Sequence, residues 1–239
     1  MKINPNKSTE HRFFNIERTN NMKPLNKYID HTNLKPFATK ADIEKLCADA
    51  REWDFASVCV NPCDVPLAKE LLAGSDVHVC TVIGFPLGRN TTAIKVAETE
   101  EAYANGCDEF DMVINVGKVK EGRIEEVRNE IAAVVKAAKG KIVKVIIETG
   151  LLTDEEKALA TRLSCEAGAN FVKTCSGVSA GIATVADVRL MKANVTENVK
   201  IKASSGIKTY QDAKALIDAG AERLGTSSGI AILSGAPKP

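Results

Sequence analysis

"AGANFVK", residues 167–173, joins a glycine at the end of a helical pattern to a short apolar run that finishes on a lysine. Two other stretches share this layout, "NGCDEFD" at 105–111 and "AGAERLG" at 219–225. Counting five residues on from Gly106, Gly168 and Gly220 reaches Asp111, Lys173 and Gly225. Glycine ends helices because it takes the left-handed conformation without a Cβ clash. The repeat therefore reads as helix, stop and strand, three times over.

The same rhythm runs outward from Leu25 to the end of the chain. Strands are predicted at Tyr28–Asp30, Ser57–Val60, Val77–Ile83, Glu109–Ile114, Ile142–Glu148, Phe171–Thr174, Lys200–Ala203 and Arg223–Gly225. Between them lie helical patterns such as "TKADIEKLCADAREW", "TTAIKVAETEEAYANG" and "TYQDAKALIDAG", several opening on a threonine cap and closing on glycine. Eight strands alternating with helices predict an α/β fold with a parallel sheet, and residues 24–239 suffice for a single (β/α)8 barrel domain. The repeats fall on the fourth, sixth and eighth strands. Inward side chains of alternate strands share a layer, so Asp111 and Lys173 are expected at one depth, with open space beside them at Gly225.

Composition narrows the function. The 239 residues are 44% hydrophobic and 26% charged with net charge +1, which gives no basis for binding nucleic acid or an anionic membrane. No run approaches the ~18 apolar residues of a membrane span. Residues 1–23 are polar and lack a signal-peptide core, and they are expected to be a poorly ordered extension. Seven scattered cysteines read as free thiols in a reducing cytoplasm. With three histidines and Cys59 and Cys63 in a C-x-x-x-C spacing, no metal site is expected.

The charged residues inside strands carry the chemistry. A buried, unpaired ammonium costs several kcal/mol, and proteins usually answer by lowering its pKa. In "VKIKASSGIKT" (199–209), Lys200 and Lys202 share one face, with Lys202 nearer the C-terminal end and Lys200 deeper. Two lysines in one low-dielectric cavity cannot both hold protons comfortably, so one becomes a free amine able to attack a carbonyl. The iminium formed withdraws electrons, letting a carbon–carbon bond β to it break or form, while Asp111 moves a hydroxyl proton. Lys144 is expected to pair with Glu148. "SSGIK" (204–208) and "GTSSG" (225–229) place serines and backbone N–H groups at helix starts after strands seven and eight, a phosphate site to which Lys208 could add charge. An isomerase needs a base and an electrophile rather than two lysines. A catalytically silent sugar-phosphate-binding barrel is the alternative of another class, and intact Lys173, Lys202 and Asp111 speak against it.

"YIDHTNLKP" (28–36), "SVCVNPCDVPLAK" (57–69), "TVIGFPLG" (81–88), "DEFDMVIN" (108–115), "KVIIETGLL" (144–152), "GANFVKTCSG" (168–177), "IKASSGIKT" (201–209) and "RLGTSSG" (223–229) occur in the order of one family. From about Leu25 to Leu233 the chain resembles the deoxyribose-phosphate aldolases. The resemblance implies a (β/α)8 barrel without metal or organic cofactor. It also implies reversible cleavage of 2-deoxy-D-ribose 5-phosphate to D-glyceraldehyde 3-phosphate and acetaldehyde, in deoxynucleoside catabolism. By the same resemblance Lys173 forms the Schiff base, Lys202 lowers its pKa and Asp111 relays protons. Asp30 and Thr32 match sugar-binding positions, and Cys59 matches a pocket-lining cysteine. Gly177, Ser205, Gly206, Ser227 and Ser228 match the phosphate contacts. Ser205 replaces the first glycine of a usual pair, where a positive φ would strain it. The implied partner is a small sugar phosphate, with a homodimer or homotetramer as the expected assembly.

Overall fold

The computed structural model describes residues 23–237, so the predicted extension lies, but for Lys23, outside the described residues. Eight strands are present: β1 (Ile29–Asn33), β2 (Ser57–Val60), β3 (His78–Ile83), β4 (Glu109–Val113), β5 (Ile142–Ile146), β6 (Phe171–Lys173), β7 (Lys200–Ser204) and β8 (Arg223–Thr226). Each pairs in parallel with the next, and β8 closes on β1. Strand ends shift from expectation for local reasons. β1 runs on to Asn33 because it pairs with Val60 of β2. β5 stops short of Glu148, whose φ of 56° turns the backbone off the sheet.

The glycine repeat has a stereochemical cause. Gly106, Gly168 and Gly220 have φ of 89°, 85° and 115°, all left-handed. The next N–H in each case (Cys107, Ala169 and Ala221) donates at 3.0–3.1 Å to the carbonyl five residues back, of Ala102, Ser164 and Leu216. This double closure of a helix end is the Schellman arrangement. The same turn sends the chain into β4, β6 and β8 in the same way, so an equal count reaches an equivalent inward position. At the other ends, Thr39 with Asp42, Thr153 with Glu156 and Thr209 with Asp212 form reciprocal capping boxes. Three helices the sequence pattern did not mark, Val65–Leu71, Val116–Lys120 and Val185–Lys192, are too short for strong periodicity.

Alternation along the strands separates two environments. Outward residues such as Val58, Val79, Phe110, Val143, Val172 and Ile201 are fully or almost fully buried against the helices, forming the main apolar core. Burying each such side chain contributes about 1.5–3 kcal/mol. Inward residues are different. The register sets Ser57, Glu109, Phe171 and Arg223 deepest, then Asp30, Cys80, Lys144 and Lys202, then Cys59, Asp111, Lys173 and Gly225. Three layers of four are usual for such a barrel, but here seven of the twelve positions are ionisable acids or bases rather than branched aliphatics. No helix among the described residues is long and apolar enough to cross a membrane.

Candidate active site

Asp111 is the hub of the upper layers. Its Oδ2 accepts from Lys173 and from Lys202, each at 2.7 Å. Its Oδ1 accepts from Lys144 at 2.9 Å and from the Cys80 thiol at 3.2 Å. Lys173 and Asp111 are brought together because both stand five residues beyond an equivalent helix stop, on alternate strands of one layer. Lys202 reaches them from the layer below, where its Nζ also lies 2.6 Å from Asp30.

A second tier holds the first in place. Arg223 donates to Asp30 at 2.6 Å and to Glu109 at 2.7 Å. Lys144 stands 2.5 Å from Glu109 as well as bonding Asp111. Lys144 therefore pairs with the carboxylates inside the barrel and not with Glu148, as the sequence pattern suggested. The left-handed Glu148 instead turns to the next strand's exit, where its carboxylate accepts from the Ser176 backbone N–H and from its hydroxyl. Lys200 sits at the solvent-exposed start of β7, 3.5 Å from Glu222, and takes no part in the cluster.

The electrostatics follow from burial against pairing. Burial pushes the Asp111 carboxyl up, but Lys144, Lys173 and Lys202 together hold it well below the ordinary carboxylate range. Glu109 is likewise depressed, because Lys144, His78 and Arg223 outweigh its desolvation. Burial pulls Lys202 down, yet Asp111 and Asp30 leave it above the ordinary lysine value. Lys202, Lys144 and Arg223 are thus fixed cations facing three fixed anions, Asp30, Glu109 and Asp111. Those six charges cancel, and Lys173 is the remaining lysine of the cluster, bound to Asp111 at 2.7 Å.

Above this floor a cavity of about 610 Å³ opens at the C-terminal mouth of the barrel. It gathers Thr32, Gly177, Ser205, Gly206, Ser227 and Ser228, with Lys208 at its wall. Gly177 and Gly206 have φ of 87° and 78°, and Ser205 has φ of 82°, the left-handed backbone its serine strains to adopt. Ser228 stands at the start of the short Gly229–Ser234 helix. Lys173, only 2% exposed, lies beneath the cavity. Gly225 joins the two levels: a Cβ there would stand 3.1 Å from Lys202 Cε and 2.8 Å from Ser204 Oγ. The space expected beside Gly225 is therefore filled by Lys202.

Asp111, Lys173 and Lys202 lie below the cavity lining, and two of the residues matched to substrate contacts, Asp30 and Cys59, do not line it either. Asp30 is fully buried among Arg223, Lys202 and Lys144, so it stands as a counter-ion, while Thr32 two residues on faces the mouth. Cys59 is fully buried beside Cys80 and Val82. Glu109 and Arg223, which the sequence reading passed over, were marked by the same ruler, three residues beyond Gly106 and Gly220. Among the described residues, Cys59, Cys80 and Asp111 have ligand atoms within 4.8 Å of one another. A cation there would meet three ammonium groups already bound to Asp111, so the donor set does not fit a metal ion. Another cavity, of about 540 Å³, lies at the N-terminal end near Lys69, His78 and Asp108, on the face where such barrels do not place their chemistry.

Known proteins match this architecture and sequence. Residues 25–235 match the family model described as DeoC/LacD family aldolase. A deoxyribose-phosphate aldolase of Streptococcus suis is 58% identical over 212 residues, spanning 89% of this chain and 96% of that protein. One from Brevibacillus brevis is also 58% identical over 212 residues, with the same shares of the two chains. Among solved structures, a putative deoxyribose-phosphate aldolase from Coccidioides immitis superposes with a TM-score of 0.86 at 42% identity, over 88% of this chain and 84% of that one. The deoxyribose phosphate aldolase of Aeropyrum pernix, described as tetrameric, gives 0.83 at 33% identity, over 88% and 89%. With a closed eight-stranded barrel, paired lysines around one carboxylate and these relatives, the chain belongs to the DeoC/LacD family of aldolases.

Proposed function

We propose that this protein is a class I deoxyribose-phosphate aldolase, cleaving 2-deoxy-D-ribose 5-phosphate to D-glyceraldehyde 3-phosphate and acetaldehyde through a Schiff base on Lys173. The observation that carries the reading is the sharing of Asp111 Oδ2 between Lys173 and Lys202, each at 2.7 Å. Lys202 keeps its proton and Asp111 keeps its charge, and Lys173 supplies the attacking amine. Its lone pair attacks C1 of the open-chain sugar, and loss of water leaves an iminium. Asp111 takes the C3 hydroxyl proton, directly or through one water, as the C2–C3 bond breaks and its electrons enter the iminium. Glyceraldehyde phosphate leaves. The enamine is protonated at C2, and water releases acetaldehyde and the free lysine.

The mouth suits the rest of the substrate. Thr32, Gly177, Ser205, Gly206, Ser227, Ser228 and Lys208 line the mouth, which supports a reading in which Thr32 meets a sugar hydroxyl and the others the phosphate. Cys59 and Asp30 support the floor in this reading rather than touch the sugar. Seven unpaired thiols fit a cytoplasmic location. The tetrameric Aeropyrum pernix relative is the ground for proposing a homodimer or homotetramer.

Trapping tests the chemistry. Incubation with acetaldehyde and borohydride, followed by peptide mass analysis, should place the ethyl adduct on Lys173 and lose it in Lys173→Ala. Absence of any adduct above the surface-lysine background would sink the Schiff-base mechanism.

A further inference from the structure

Cys59 and Cys80 are in-register neighbours on β2 and β3, both pointing into the barrel. Adjacent strands lie about 4.8 Å apart, inside the Cα separation of about 4.4–6.8 Å that a disulfide spans. Their sulfurs lie within 4.8 Å of each other. Neither thiol takes part in the carbon–carbon chemistry. The Cys80 thiol has Asp111 Oδ1 at 3.2 Å and the Thr81 carbonyl at 3.6 Å in reach, with the Cys59 sulfur beside it. Lys144 also donates to the Cys80 sulfur at 3.3 Å. Hydrogen bonding from Cys80 pulls Cys59 below the ordinary thiol value, against its burial and the Asp111 charge, with Lys202 and Lys173 acting in the same direction as Cys80. Burial and the donated hydrogen bond push Cys80 the other way, so Cys59 is the thiol of the pair that ionises more readily.

We infer that Cys59 and Cys80 form a reversible redox pair, a modification site at which a hydroperoxide closes a disulfide inside the barrel. The Cys59 thiolate attacks the peroxide and, with one proton, gives the Cys59 sulfenic acid and water or an alcohol. The Cys80 thiol then attacks that sulfur; the S–S bond forms and hydroxide leaves as water with the Cys80 proton. The two electrons pass to the peroxide, and a dithiol returns them. Leu34 covers the pair and also lines the mouth cavity, so its movement opens a path from the cavity to Cys59.

Closure removes what the pair gives the site. Cys80 loses the S–H that bonds Asp111 Oδ1, and its sulfur is drawn from Lys144 toward Cys59. We expect turnover to fall about tenfold, the effect of losing roughly one hydrogen bond to the charged hub. Only this loss of turnover rests on the aldolase reading; the disulfide does not.

The test uses the full chain carrying Cys63→Ser, which removes the exposed cysteine next to the pair. After hydrogen peroxide and thiol blocking, trypsin should yield peptides 52–69 and 70–89 joined through Cys59 and Cys80, and dithiothreitol should separate them and restore activity. In a second variant adding Cys80→Ala, dimedone should label Cys59, because the sulfenic acid has no resolving thiol. Each activity is compared with that variant's own untreated value. Unlinked peptides at a peroxide dose that halves activity would overturn the inference, as would dimedone labelling of Cys59 equal with and without Cys80. A linked peptide with unchanged turnover would overturn its effect on the site.

Discussion

Replacing Lys202 by Met keeps an unbranched side chain one atom shorter and removes one of the cations that balance the barrel interior. Lys202 stands 2.6 Å from Asp30 and 2.7 Å from Asp111, with no exposure to water. At an effective dielectric near 20, a pair at that separation attracts with about 6 kcal/mol. Desolvation offsets much of this, and breaking a buried pair from one side costs about 3–5 kcal/mol. Asp30 keeps Arg223 and Asp111 keeps Lys144 and Lys173, so the lower figure of about 3 kcal/mol is expected, a fall in melting temperature of about 6–12 °C. Activity should fall more steeply, by about 10²–10⁴, because Asp111 and the amine lose the cation that sets their protonation. The decisive variant is the double change Asp30→Asn with Lys202→Met, which restores zero net charge. Calorimetry should find it more stable than the sum of the single changes by at least about 1 kcal/mol. Its turnover should stay as low as that of Lys202→Met alone. Additive stabilities, or recovery of turnover in the double variant, would refute the charge-balance reasoning and leave Lys202 as a packing residue.

Two further outcomes test the mouth and the outer shell. Ser205→Gly removes about 1–2 kcal/mol of strain at a left-handed residue and adds about 0.5–1 kcal/mol of chain entropy. The melting temperature should rise by about 1–3 °C; a fall would mean that the Ser205 hydroxyl, 3.4 Å from the Gly181 carbonyl, holds the loop. His31 is pushed below its ordinary value by burial, against Asp49 at 4.0 Å. A base depressed in the folded state contributes stability that is present above its unfolded pKa of about 6.5 and lost as pH falls toward its folded value. Relative to His31→Gln, the wild type should therefore lose melting temperature between about pH 7 and 5, and parallel curves would refute the assignment.

The legible part of this molecule lies in what the chain repeats locally. Gly106, Gly168 and Gly220 mark helix ends by residue type, and the fixed distance to the barrel interior carried Asp111, Lys173 and Gly225 to one layer without knowledge of any contact. The two Gly/Ser loops of the mouth were legible as a candidate phosphate site only because they follow each other at the end of the strand pattern, since each alone has the composition of an ordinary turn. What stayed hidden depends on which strand lies beside which and in what register. Lys144 and Glu148 share a segment, yet the left-handed turn at Glu148 sends them to different partners. Asp30 meets Arg223 across 193 positions of chain, and the nearness of Cys59 to Cys80 follows only from the β2–β3 register. Lys200 and Lys202 alternate onto one face, but the barrel ends between them and solvent claims the first.

The division of the barrel into a charged floor and a backbone-built mouth constrains how this protein can diverge. Each carboxylate of the floor serves at least two cations, so almost any single replacement there strands a buried charge, and neutral drift requires paired steps. Thr32, at the end of β1, and Ser205, Ser227 and Ser228, on the loops after β7 and β8, belong to no such network and stand at the rim. New aldehyde acceptors are therefore reached by altering the rim alone, with the lysine chemistry inherited intact beneath it.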